Sequence, residues 1–143
     1  MKNSINSIIK LGNKLEYYGK EVINYIIGLI HPVTFSTKDD IYYYRDGVYI
    51  EGGTDVIKTI LNKGFYKLQN MYGEPILNSR GANEIIEKIK YLGMEKREDF
   101  DKDLAIINMK NGLYNWQTGE FKEHSWEYKS IIQIPVSYDP EAE

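Results

Sequence analysis

Two Asx-Gly pairs, Asp46-Gly47 and Asn111-Gly112, constrain the fold of this chain more than any other feature. Each lies between short runs rich in aromatic and β-branched residues. That is the strongest local signal for a two-residue hairpin turn, whose central positions need backbone angles that Asn, Asp and Gly tolerate. The first pair joins a tyrosine-rich strand, Ile41 to Arg45, to a return at Val48 to Ile50. The second joins a strand at Leu104 to Met109 to its partner at Leu113 to Trp116. Thr118-Gly119 turns the chain again before Phe121, and a last strand is expected from Ser130 to Ile134, ended by Pro135.

Elsewhere the period is helical. Ile8, Leu11, Leu15, Tyr18, Val22, Tyr25 and Leu29 recur at steps of three and four, which lines one face of a helix. Pro32 stops that helix, because a proline disfavours helical geometry in the residue before it. The same spacing reads as a helix packed on its own domain or as a short coiled-coil seam. Gly12, Gly19 and Gly28 weaken the seam, by ~1 kcal/mol each relative to Ala. After Gly52-Gly53, Thr54 or Asp55 is placed to cap a second helix. Ile57, Leu61, Leu68 and Met71 carry it to Tyr72, and Gly73 and Pro75 end it. A third runs from Gly81 to Leu92, with Ile85, Ile89 and Leu92 on one face and Gly93 at its end. The expectation is an α+β fold with two parts, an N-terminal helix at 1–31 and an α+β region at 32–143, in a single globular unit.

Composition narrows the chemistry. The 143 residues include no cysteine, which excludes disulfides, thiolate zinc sites and cysteine nucleophiles. Two histidines, His31 and His124, are too few for a histidine-rich metal site. His31, at a helix end, is placed to satisfy free carbonyls and the negative end of the helix dipole. The apolar stretch Val22 to Ile30 is far shorter than the ~20 residues a membrane-spanning helix needs. Gly47 to Thr54 has the glycine spacing of a phosphate loop, but Gly53 stands where the lysine must be. Asp99, Asp101 and Asp103 alternate, as in sites that gather a divalent metal for nucleotidyl transfer, yet a solvated loop before a strand explains them as well. No catalytic residue and no metal ligand is assigned.

The net charge is −3, but it is uneven. From Val56 to Arg97 there are 8 lysines and arginines against 4 glutamates, a net of +4; from Glu98 to Glu143 there are 10 acids against 4 lysines, a net of −6. Lys58, Lys63, Lys67, Arg80, Lys88, Lys90, Lys96 and Arg97, mixed with Tyr66, Tyr72 and Tyr91, form the basic middle. Lysines supply phosphate contacts, and tyrosines stack on unpaired bases for ~1–3 kcal/mol each. An ordinary solvated helix surface is the alternative. Lys58, Lys63, Lys67, Arg80, Lys88, Lys90, Lys96, Arg97, Tyr66 and Tyr91 are the DNA-binding candidates.

Four pieces of the C-terminal third run in a fixed order: Asn108-Met109-Lys110-Asn111-Gly112-Leu113-Tyr114, Thr118-Gly119-Glu120, His124, and Ile134-Pro135-Val136-Ser137-Tyr138-Asp139-Pro140-Glu141-Ala142. That order resembles the domain lying just before the superfamily 3 helicase in phage, plasmid and poxvirus-type primase-helicases. The hairpin Tyr44-Arg45-Asp46-Gly47-Val48-Tyr49 also looks like that family's. The resemblance covers about Ile41 to Ala142.

It implies a non-catalytic DNA-replication module that contacts DNA or guides it to the helicase. The order of elements, a helix, a hairpin, two helices and a second hairpin, is compatible with a winged-helix-like arrangement in which Gly81 to Leu92 is the recognition helix. The alternative is a protein–protein collar for the helicase ring without significant DNA binding. A nucleotidyl transferase using Asp99, Asp101 and Asp103 is the third reading. No cofactor is expected here; ATP and magnesium belong to the helicase domain, and the chain is expected to be a fragment or a product truncated at a domain boundary. The implied partners are DNA, the adjoining helicase domain and its neighbouring subunits. A membrane is not among them, and the implied location is the host-cell cytoplasm.

Overall fold

The computed structural model describes residues 15–64 and 79–141. Among them are three α-helices and two small antiparallel sheets, the α+β composition expected. Helix α1 is Leu15–Ile30, α2 is Gly53–Gly64 and α3 is Ser79–Leu92; a 3-10 turn covers Arg97–Asp99. Strands β1 (Tyr43–Arg45) and β2 (Val48–Ile50) form one hairpin, and β3 (Ile106–Met109), β4 (Gly112–Asn115) and β5 (Phe121–Lys122) form the second sheet in that order. Ile8, Leu11, Tyr66, Lys67, Leu68, Met71, Tyr72, Gly73, Pro75 and Ala142 lie outside the described residues. No described helix is long and apolar enough to cross a membrane.

Helix α1 stops before Pro32, and His31 takes a left-handed φ of 47°. Its buried side chains are Val22, Ile23, Ile26 and Ile30, while Leu29 is 47% exposed. Of the expected Val22–Tyr25–Leu29 line, Val22 is buried and Tyr25 packs against the core, and Leu29 turns away from it. Two interleaved three-four series occupy this helix, and the isoleucine series, the more apolar of the two, is the one that packs. It meets Ala82, Ile85, Ile86 and Ile89 of α3 and Ile57 and Leu61 of α2 in one core. Fully burying each such aliphatic side chain stabilises by ~1.5–3 kcal/mol. On α3 the inward residue is Ile86, where Leu92 was expected; Leu92 lies past the last buried turn and is 60% exposed.

Helices α1 and α3 end side by side. The Thr34 N–H donates to Gly93 O at 2.8 Å, and the Thr34 hydroxyl donates to Lys90 O at 2.5 Å. A Cβ on Gly93 would sit 2.8 Å from the Pro32 carbonyl oxygen, so glycine permits this approach. Helix α2 is capped from a distance. Asp40 accepts from the N–H groups of Gly52 (2.7 Å), Ile41 (2.7 Å) and Thr54 (3.4 Å), so the capping carboxylate is neither of the residues expected, Thr54 or Asp55. A second buried cluster joins Val33 to the aromatic residues Phe35, Tyr42, Tyr49 and Phe100.

The first hairpin matches expectation: Asp46 (φ 52°) and Gly47 (φ 89°) are both left-handed, and Arg45 pairs with Val48. The second is shifted by one. Met109 pairs with Gly112, so the two-residue loop is Lys110-Asn111 and Gly112 opens β4. A Cβ on Gly112 would collide with the Lys122 carbonyl and the Phe121 ring, so β5 is what requires glycine there. Residues 130–136 do not form the expected strand. They run as a strap with bonds to both sheets: Tyr49 N–H to Ser130 O (2.8 Å), Ile134 N–H to Asn108 O (2.9 Å) and Lys110 N–H to Val136 O (2.9 Å). A segment that changes partners in so few residues cannot keep one ladder.

Candidate nucleic-acid interface

Helix α2 presents Lys58, Thr59, Asn62 and Lys63 toward Ala82 and Asn83 of α3 across a groove of about 650 Å³. Asn83 also borders the next hollow along α3, with Arg80, Glu84, Glu87 and Lys88. Through Asn83 the two hollows adjoin, which groups Lys58, Lys63, Arg80 and Lys88. Two acids interrupt them: Arg80 lies 3.7 Å from Glu84, and Glu87 lies 3.6 Å from Lys90. These are solvent-exposed pairs worth ~0–1 kcal/mol, so a phosphate can displace them. Four cations against two carboxylates leave the surface positive.

Two further candidates lie apart. Lys96 and Arg97 border a different hollow of about 840 Å³ with Phe35, Ser36, Glu95, Glu98 and Asp99, where acids outnumber bases. Arg97 Nη1 donates to Phe100 O at 3.3 Å. Tyr91 is 77% exposed. Tyr66 and Lys67 lie outside the described residues.

Asn108 and His124, two of the residues that carry the family resemblance, belong to one largely buried polar network. Asn108, 6% exposed, donates through Nδ2 to Gly47 O (2.8 Å) and Ser130 Oγ (3.2 Å). Its Oδ1 accepts from His124 Nε2 (3.0 Å) and Gln133 Nε2 (3.2 Å). His124 Nε2 also meets Met109 O at 2.7 Å. Both its neighbours are acceptors, so Nε2 carries the proton. The imidazole lies over Gly47, where a Cβ would collide with the ring. Asn111 and Tyr138 exchange two bonds, at 3.0 and 2.7 Å, and the Tyr138 ring stacks on Tyr114 (4.8 Å) and Phe121 (4.7 Å).

The aspartate run is likewise put to structural use. Asp101, at φ 53°, accepts from Ser130 Oγ (2.5 Å) and the Ile131 N–H (3.0 Å), which occupies both carboxylate oxygens. Asp103 Oδ1 accepts from the Ala105 N–H at 3.0 Å.

His31 differs from expectation. Its ring stacks on Trp126, centroids 4.2 Å apart and planes within 7°, and burial lowers its pKa, which is opposite to the effect of a helix C-terminus. Tyr49, 3% exposed, donates its hydroxyl to Trp126 O at 2.6 Å; burial first, then the charges of Tyr44 and Glu95, push its pKa up to about 12. The His31–Trp126 contact spans two ends of the chain, and no local pattern announces it.

A family model described as D5 N terminal like matches residues 15–143. No curated protein matches the chain.

Proposed function

The chain belongs to the D5 N terminal like family, the domain that precedes the superfamily 3 helicase in primase-helicases, and we propose that it serves replication there by contacting DNA through the α2–α3 groove. The family places it in the replication-associated N-terminal region of a primase-helicase, as a domain distinct from the catalytic helicase. The observation that carries DNA contact is the grouping of Lys58, Lys63, Arg80 and Lys88 around Asn83. Ammonium and guanidinium groups neutralise phosphates, while Thr59, Asn62 and Asn83 add hydrogen-bond donors that position a backbone without reading sequence. In this reading the domain guides DNA toward the helicase of a phage, plasmid or viral protein in the host cytoplasm. ATP and magnesium are used by that helicase.

Each phosphate contact contributes about −0.7 to −0.9 to the log–log salt slope, so four contacts give roughly −3, with non-specific dissociation constants of ~10⁻⁴–10⁻⁶ M. Changing Lys58, Lys63 and Lys88 to Glu together should flatten that slope and weaken binding to all sequences alike. The same change at Lys96 and Arg97 should do less. Equal binding by both variants and the parent would refute the groove.

One observation favours a second reading, a protein collar. Leu29, Tyr91, Leu92 and Met94 are 47%, 77%, 60% and 57% exposed where α1 and α3 end together. Dimerisation lost on changing Leu29 and Leu92 to Ser would put that reading first.

A further inference from the structure

We propose that Asn111-Gly112 is a site of spontaneous deamidation, held in check by the strap, and that its conversion lets the end of the strap go. It is the one Asn-Gly pair in the sequence. Two unrelated packing requirements set these residues side by side. Gly112 lies against β5, where a Cβ would collide with the Lys122 carbonyl and the Phe121 ring. Asn111 must offer a donor and an acceptor together: Nδ2 donates to Tyr138 O at 3.0 Å, and Oδ1 accepts from the Tyr138 N–H at 2.7 Å. A carboxamide followed by a residue without a side chain is also the pair in which the next backbone nitrogen approaches the amide carbon with least hindrance.

The reaction needs only these two residues and water. The Gly112 nitrogen gives its proton to a solvent base and attacks Asn111 Cγ. As that bond forms, the Cγ–Nδ2 bond breaks, and Nδ2 takes a proton from water and leaves as ammonia. The cyclic imide then adds water at either carbonyl and opens to aspartate or isoaspartate. Asn111 is exposed, so water reaches it.

The folded chain opposes this in two ways. Tyr138 holds both ends of the Asn111 amide, so Cγ is not free to turn onto the next nitrogen. Gly112 is in register with Met109 at the head of the β3–β4 ladder, and the imide would draw its nitrogen out of that position. The Tyr138 ring, stacked on Tyr114 and Phe121, keeps the clamp closed. After conversion the donor is gone. A carboxylate oxygen then stands where Nδ2 met the Tyr138 carbonyl, and two acceptors face each other. Whatever frees the strap therefore exposes Asn111 to the reaction, and conversion of Asn111 keeps the strap free.

Peptide mapping by mass spectrometry follows the Asn111 amide over time at mildly alkaline pH. In the folded chain conversion should run roughly 5- to 150-fold slower than in the same chain unfolded in urea, the factor for two hydrogen bonds of ordinary net strength. Tyr138→Ala should recover much of the unfolded rate, whereas Tyr138→Phe, which keeps the ring stack and the backbone groups, should not. Asn111→Asp supplies the converted side chain directly. In that chain the Lys110 N–H, which donates to Val136 O, should exchange with deuterium faster than in the parent. Equal conversion in the folded and unfolded parent, or a folded Tyr138→Ala chain as slow as the folded parent, would overturn protection by the strap. Lys110 exchange unchanged by Asn111→Asp would overturn the release. Should Tyr138→Ala fail to fold, the comparison of the parent with and without urea decides the first point alone.

Discussion

Asn108 Nδ2 donates to the Gly47 carbonyl at 2.8 Å across 61 residues of sequence, and this bond fastens the three-stranded sheet to the turn of the first hairpin. All four hydrogen-bonding positions of the Asn108 amide are used, two as donors and two as acceptors. Such a residue has no near substitute.

Asn108→Ala should therefore destabilise the fold by about 2–4 kcal/mol, since it strands several buried partners at ~1–3 kcal/mol each. Asn108→Asp should do no better, because it turns an oxygen toward the Gly47 carbonyl. Urea unfolding of the three chains measures this; a cost under about 1 kcal/mol for Asn108→Ala would show that the network does not hold the sheets together.

Gly47 and His124 should be energetically coupled. Gly47→Ala adds a methyl group that collides with the imidazole and also sits at φ 89°. In a His124→Ala background only the backbone strain remains, so the penalty should shrink by about 1 kcal/mol or more, within the range seen for residues in contact. A double-mutant cycle reads the coupling directly, and additive effects would contradict it.

Asp40 should impose an acid limit on stability. Burial alone would raise its pKa, but hydrogen bonds from the Thr54 side chain and from the Gly52, Ile41 and Thr54 N–H groups outweigh it and lower the pKa below 3.8. A carboxyl group with its folded pKa depressed contributes stability that is present above the unfolded value and lost as pH falls through the folded one. Stability measured from pH 5 down to pH 2 should fall more steeply in the parent than in Asp40→Asn, which should already be less stable at pH 7. Parallel curves would remove Asp40 from this role.

Features with local causes were legible in the sequence. Asp46-Gly47 dictates its own turn, Pro32 ends its own helix, and the order of helices and hairpins follows from periods that neighbouring residues set. Features with distant causes were not. Gly112 looks like a turn residue until Phe121 and the Lys122 carbonyl are brought against it, which moves the loop to Lys110-Asn111. The cap of α2 comes from Asp40, before the hairpin, where capping patterns do not look. Lys96 and Arg97 seemed to extend the row of Lys88 and Lys90, but Gly93 hydrogen-bonds to Thr34 and the chain turns away, leaving them in another hollow. Only folding sorts Lys58, Lys63, Arg80 and Lys88 from Lys96 and Arg97 into two surfaces. Trp126 and His31 carried no signal because each is unremarkable without the other.

The strap from Ser130 to Tyr138 also determines how the domain meets mechanical load. Whatever pulls on the chain beyond Tyr138 draws first on the Asn111 bonds and the rings of Tyr114 and Phe121. It then draws in turn on Lys110, Asn108, Asp101 and Tyr49. Apart from Asp101, which precedes β3, these fasteners belong to the two sheets, so tension is spread over both before it reaches the helical core. A pull from that end would therefore meet a body that yields in stages, with the helices the last to feel the force.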